Sequence, residues 1–230
     1  MIGIIGAMEE EVQSLIDFMD VEEKKEISSM VFYRGKLGKK EVVVVQSGIG
    51  KVNMAVCTQI LVDIYHVNQL INTGIAGGLY QDINIGDIVI SSDTLQHDMD
   101  ATGFGYKLGE IPRMESSIFQ ADEELVKLAK EVCEEVNPDI QCFIGRVVSG
   151  DQFISSSEKK KELIDVFQGY CAEMEGAAMA QVAYLNKIPF VILRAISDKA
   201  DNSATEDYPA FEKKAIKHIL RLVRGILDRE

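Results

Sequence analysis

The residues of this chain best placed to do chemistry are carboxylates. There are only three histidines, His66, His97 and His218, none at HExxH spacing, and four cysteines, Cys57, Cys133, Cys142 and Cys171, with no CxxC pair. A histidine triad, a metal centre and a disulfide framework are poorly supported, and the thiols read as reduced and mostly buried. Acidic residues, by contrast, stand in unusual places. Glu9, Glu10 and Glu11 follow the apolar start Ile4-Ile5-Gly6-Ala7-Met8. Glu173 and Glu175 interrupt the apolar run Ala172-Glu173-Met174-Glu175-Gly176-Ala177-Ala178. Ser197-Asp198 ends the run Val191-Ile192-Leu193-Arg194-Ala195-Ile196. A buried carboxylate is costly without a partner or a task. Arg194, inside an apolar run, needs a carboxylate partner, and Glu11 is a candidate. A carboxyl whose pKa is raised by burial can serve as a general acid. The plainer readings are acidic first turns at helix N-termini and an N-cap or Asx turn at Ser197 or Asp198.

Two glycine-rich turns complete the set. Ser47-Gly48-Ile49-Gly50-Lys51 fails the GxxxxGK[ST] phosphate-loop pattern, because Val52 follows the lysine and the first glycine is missing at the required spacing. Asn72-Thr73-Gly74-Ile75-Ala76-Gly77-Gly78 lacks GxGxxG, which argues against a dinucleotide. Its glycines imply a backbone that passes close to a ligand or to another strand. No cofactor and no metal are expected.

The elements that must position these residues alternate. Apolar, β-branched runs over 2–6, 69–73, 87–91, 141–148 and 190–196 read as strands, and 30–36 with 41–46 read as a hairpin. Residues 8–19, 51–65, 122–136, 158–167, 176–186 and 209–228 read as helices. Pro138 is a stop signal after the amphipathic helix 122–136. The pattern predicts one α/β domain over 1–230, a three-layer sandwich with a mixed, mostly parallel central sheet flanked by helices. Ligands of such sheets sit beyond the carboxyl ends of the strands, where the carboxylates and glycines fall.

The length of 230 residues is enough to bury a sizeable core. The formal net charge of −13, from 24 basic and 37 acidic residues, argues against nucleic acid and against a polybasic membrane surface. Apolar runs such as Ile188 to Leu193 are far short of a membrane span. The start has no basic n-region and no room for a signal peptide, so a cytoplasmic location is the default expectation.

Together the motifs resemble the nucleoside phosphorylase and nucleosidase superfamily, and more closely the bacterial 5′-methylthioadenosine/S-adenosylhomocysteine nucleosidases. The resemblance runs through Ile4 to Glu11, Ser47 to Val52, Asn72-Thr73-Gly74, Ser149-Gly150-Asp151-Gln152-Phe153-Ile154, Glu173-Met174-Glu175 and Arg194 to Asp198. It implies a nucleoside phosphorylase-like fold and hydrolysis of the N-glycosidic bond of an adenine thionucleoside, as in methionine salvage and removal of methyl-cycle by-products. Asp198 then looks like the general acid at purine N7, and Glu11 like the base that activates water, held by Arg194. Glu175 and the Met174 backbone look like the ribose clamp. Phe153 would stack on the purine, whose edge is read by backbone near Phe153 and Ser197. Met8, Ile49 and Tyr208 match positions near the 5′ group, and Ile154, Ile75, Ala76, Gly77 and Glu173 complete the substrate-binding set. The segment Phe104-Gly105-Tyr106 to Pro112 resembles the part the family contributes across a dimer interface, which implies a homodimer with shared sites.

Phosphorylases of this fold bind phosphate with arginines and a hydroxyl. Several carry an Arg where this chain has Asn72 and a Ser or Thr where it has Ile75. Those two residues and the negative charge of Glu11 favour water over phosphate. The alternatives are a phosphorylase, a futalosine-type nucleosidase and a nucleoside-binding protein without catalysis.

Overall fold

Four consecutive valines, Val42 to Val45, are fully buried, because the strand that carries them is covered on both faces. Val42 and Val44 pack into one apolar cluster with Ile2 and Ile4. Val43 and Val45 pack into another with Ile5. Strands covered on both faces read as continuous rather than alternating apolar runs.

In this computed structural model, which describes residues 1–229, the strands are β1 (Ile2–Gly6), β2 (Asp20–Ile27), β3 (Met30–Leu37), β4 (Lys40–Gln46), β5 (Gln69–Gly78), β6 (Ile88–Gln96), β7 (Phe119–Gln120), β8 (Cys142–Ser149), β9 (Cys171–Glu173) and β10 (Phe190–Asp198). The helices are α1 (Glu9–Asp17), α2 (Lys51–Asp63), α3 (Glu123–Val136), α4 (Ser157–Phe167), α5 (Gly176–Asn186) and α6 (Ala204–Arg229). Helices α1, α3 and α6 supply one apolar cluster, and α2 and α5 the other. A smaller third cluster includes Leu163 and Phe167 of α4.

One side of the sheet runs β2-β3-β4-β1-β5. Beyond β5 it closes on itself: β5 pairs with both β9 and β10, β10 with β6, β6 with β8, and β8 with β9. The closure follows from strand length. β5 continues through Gly74 to Gly78, where a turn is expected after residue 73, and β10 continues to Asp198. Each is thereby long enough to meet neighbours on two sides. Of the pairings described, five are parallel and five antiparallel, so the sheet is mixed, with less parallel weight than expected.

The helices α3 and α5 fall where the periodicity places them. Asp122 caps α3 by accepting from the N–H groups of Glu124 and Leu125, a typical use of aspartate at an N-cap. Helix α6 starts at Ala204, ahead of the expected 209, and takes Pro209 inside it. β2, β7 and β9 are elements the sequence reading does not anticipate.

Candidate active site

A cavity of about 350 Å³ opens among the ends of these elements. Its wall takes Ala7, Met8 and Glu11 from the start of α1, Ile49 from the turn after β4, and Ile75, Ala76 and Gly77 from β5. The loop after β8 adds Gln152, Phe153 and Ile154. Ala172 to Glu175, Ser197, Asp198 and Tyr208 complete it. Three larger surface grooves, about 940, 570 and 480 Å³, lie elsewhere and contain none of Glu11, Glu175 and Asp198. Convergent titratable groups, not size, mark the site.

Glu11 is 3% exposed in the first turn of α1. Its Oε2 accepts from the N–H groups of Ala7 at 2.7 Å and Met8 at 3.0 Å, and its Oε1 accepts from the Ile75 N–H at 3.2 Å. Burial pushes its pKa up, against the pull of Arg194 and these amides. A Cβ at Gly74 would lie 2.7 Å from Glu11 Oε1. The backbone of β5 thus passes close to a side chain of this chain as well as to the cavity.

The expected Arg194–Glu11 pair is corrected by the structure. Arg194 Nη2 lies 2.5 Å from Glu173 Oε2, with both side chains almost wholly buried, and also donates to Asn72 Oδ1. Glu173 further accepts from the Gly176 N–H at 2.8 Å, the Glu175 N–H at 3.2 Å and the Ser149 hydroxyl. It therefore binds Arg194 to the N-terminus of α5. Arg194 acts on Glu11 only through space. Its own pKa is raised: burial opposes its charge, but Glu173 and Glu11 outweigh that penalty.

Glu175 stands at the N-cap of α5, where its Oε1 accepts from the Gly50 N–H at 2.7 Å. Burial, with Glu173 adding like charge, pushes its pKa up to about 7. Asp198 ends β10 at a bulge. Its Oδ2 accepts from the Ser197 hydroxyl at 2.9 Å and its Oδ1 from the Ala200 N–H at 2.8 Å. Burial raises its pKa in spite of these bonds. The cavity wall thus carries four carboxylates: Glu173 is committed to Arg194, and Glu11, Glu175 and Asp198, on separate elements, are each shifted towards the protonated form.

The mouth is apolar. Phe153, 49% exposed, meets the Tyr208 ring edge to face at 5.9 Å between centroids. The Tyr208 hydroxyl bonds Glu212 Oε1 at 3.1 Å and touches Met8 Sδ at 3.4 Å. Of the residues expected from the sequence, Arg194 stands behind the wall, and Phe104, Tyr106 and Pro112 are not in it. Phe104 is 88% exposed. Ala7, Gln152 and Ala172 line the cavity without having been expected as site residues; each lies beside a residue that was, and small or amide side chains give no signal of their own.

This fold, with carboxylates at one end of a closed mixed sheet, is that of a known class. The model of the phosphorylase superfamily matches residues 1–228, and the chain belongs to that superfamily. Its likeness to particular members is also full-length. A 5′-methylthioadenosine/S-adenosylhomocysteine nucleosidase of Staphylococcus saprophyticus is 46% identical over 216 residues, 94% of this chain and 93% of the relative. Among solved structures, the nucleosidase of that name from Neisseria meningitidis, in complex with methylthio-immucillin-A, superposes with a TM-score of 0.95 at 36% identity, covering 100% of this chain and 99% of the other. Futalosine hydrolase of Helicobacter pylori superposes with a TM-score of 0.94 at 34% identity, covering 100% and 97%.

Proposed function

We propose that this chain, one domain over 1–230, hydrolyses the N-glycosidic bond of 5′-methylthioadenosine and S-adenosylhomocysteine, and of 5′-deoxyadenosine, releasing adenine and the 5-thioribose or deoxyribose product. The observation that carries the reading is the meeting of Glu11, Glu175 and Asp198 in one cavity with an apolar mouth. The names of the full-length relatives support it.

The division of labour follows from the environments. Asp198, whose hold on its proton is strengthened by burial, gives a proton to purine N7 as the C1′–N9 bond breaks, so that adenine leaves neutral. Positive charge then develops on the ribose, and a hydrogen bond donated by a ribose hydroxyl to the Glu175 carboxylate strengthens as it does so. Glu11, fixed by three backbone amides, orients a water, takes its proton as the oxygen bonds C1′, and leaves a neutral sugar. Phe153 stacks on the base, with backbone near Phe153 and Ser197 against its edge. Met8, Ile49 and Tyr208 receive the 5′ group.

Phe104, Tyr106 and Pro112 lie outside the cavity of their own chain. In the reading proposed here they close the cavity of a second copy, in a cytoplasmic homodimer. Among the described residues no helix is long and apolar enough to cross a membrane.

The test is an adenine-release assay with methylthioadenosine, S-adenosylhomocysteine, 5′-deoxyadenosine, inosine and futalosine, each with and without phosphate. Phosphate-independent adenine release from the first three is expected. Ribose 1-phosphate formed only with phosphate would establish a phosphorylase instead. Turnover of futalosine alone would establish the activity named for the Helicobacter neighbour.

A further inference from the structure

The turn Ser47-Gly48-Ile49-Gly50-Lys51 resembles a phosphate loop without being one, and its lysine has no part in the chemistry above. The structure gives Lys51 a different task. Its Nζ lies 2.6 Å from Asp98 Oδ1 and 3.0 Å from Gln96 Oε1. The second oxygen of Asp98 accepts from the Asp151 N–H at 2.9 Å. Asp151 Oδ1 in turn accepts from the Lys51 N–H at 2.9 Å. The three residues close a ring of hydrogen bonds that joins the start of α2, the segment after β6 and the loop after β8. Gln96 extends it to α5, donating to Gln181 Oε1 at 2.6 Å.

Both ends of this ring abut the cavity. Residue 50, next to Lys51, provides the N–H that holds Glu175. Gly50 has φ of +97°, a conformation L side chains rarely adopt, and a Cβ there would lie 3.2 Å from Asp151 Oδ1. Gln152 and Phe153, next to Asp151, form part of the cavity wall. Lys51 and Asp98 are only 19% and 15% exposed as side chains. Burial alone would raise the Asp98 pKa, but the bonds from Lys51 and Asp151 hold it below the usual carboxylate range. The ring is therefore charged and preorganised.

We propose that Lys51, Asp98 and Asp151 are positioning residues that latch together the two halves of the substrate site, the Gly50 amide behind Glu175 and the loop bearing Phe153. The proposal rests on the nucleosidase reading of the cavity. Its physical basis is that displacements of about 1 Å at reacting groups cost up to about a hundredfold in rate. Three charged groups from other elements face Glu175, namely Glu173, Arg194 and Glu11. None of them replaces the Gly50 amide when the latch opens.

The test compares the full-length protein with Lys51→Met, Lys51→Arg and Asp98→Asn. Three quantities are measured: kcat and KM for methylthioadenosine, the pH profile of kcat/KM, and amide hydrogen exchange over 47–51 and 149–154. Lys51→Met and Asp98→Asn should raise KM about tenfold and speed exchange in both segments. They should also move the acid limb of the profile to higher pH, because Glu175 loses an amide that favours its charge. Lys51→Arg, which keeps charge and donors, should restore most of each. A folded Lys51→Met protein with wild-type exchange, KM and acid limb would overturn the latch, and Asp98→Asn decides by the same criteria if Lys51→Met does not fold. Absence of adenine release by the wild type would refute the nucleosidase reading alone, since hydrogen exchange still shows whether the ring holds the two segments.

Discussion

Arg194 pairs with Glu173 rather than with Glu11, and this puts the guanidinium behind the cavity wall, tied to a carboxylate that forms part of that wall. Glu11 is left to the backbone amides of Ala7, Met8 and Ile75, which fix its position at the cavity wall.

Removing one partner of a buried pair leaves an uncompensated charge and costs about 3–5 kcal/mol. Arg194→Met should lower stability by that order, read as a lower urea midpoint. The double variant with Glu173→Gln should recover part of the loss. Equal stability of Arg194→Met and wild type would show that the pair carries no such burden.

Glu175 has a folded pKa of about 7, against an ordinary value of 4.5. The folded state therefore holds its proton more tightly than the unfolded chain does. The resulting stability is fully present below pH 4.5 and is lost as pH rises to about 7. At about 1.4 kcal/mol per pKa unit the loss is on the order of 3–4 kcal/mol at most. Glu175→Gln should flatten this part of the stability curve, seen as a smaller drop in Tm between pH 5 and pH 8.

Asp198→Asn cannot supply a proton to N7. Its kcat should fall about a hundredfold or more. The wild-type rate should decline on the alkaline side as Asp198 loses its proton, at a pH set by its raised pKa, and the variant should lose that limb. Near-normal adenine release by Asp198→Asn would reject Asp198 as the acid.

Gly74→Ala introduces a methyl 2.7 Å from Glu11 Oε1. Either the strand or the carboxylate must move. If Glu11 acts on water, as proposed, kcat should drop about tenfold or more while KM changes little. A rise in KM with kcat intact would place Glu11 in binding instead.

The legible parts of this chain are those with a strong local signal. The Ala-rich run Gly176–Asn186 is a helix over the residues its composition marks, and the valines of β4 are as buried as their run implies. The carboxylates were legible because charge in apolar surroundings demands an explanation. The partner of Arg194 was not, since it depends on β9, a strand of three residues. No periodicity can mark so short a strand, and its place is set by β5 and β8. β2 escaped notice for the opposite reason: its eight residues are almost all exposed and show no alternation. The start of α6 was hidden by Pro209, because proline favours a first helical position yet here lies in the second turn.

The closure of β5, β10, β6, β8 and β9 into a ring also governs how copies of this protein can meet. A closed ring offers no row of free amides and carbonyls on which another chain could add a strand. The long open border left to the sheet is β2, where Asp20, Glu22, Glu23, Lys24, Lys25 and Glu26 stand along eight residues. Docking a further strand there would bring those charges against a neighbour, which natural sheets use to block fibre-like growth. Any contact between copies would then fall to helices and loops, leaving the sheet that holds the carboxylates in place undisturbed.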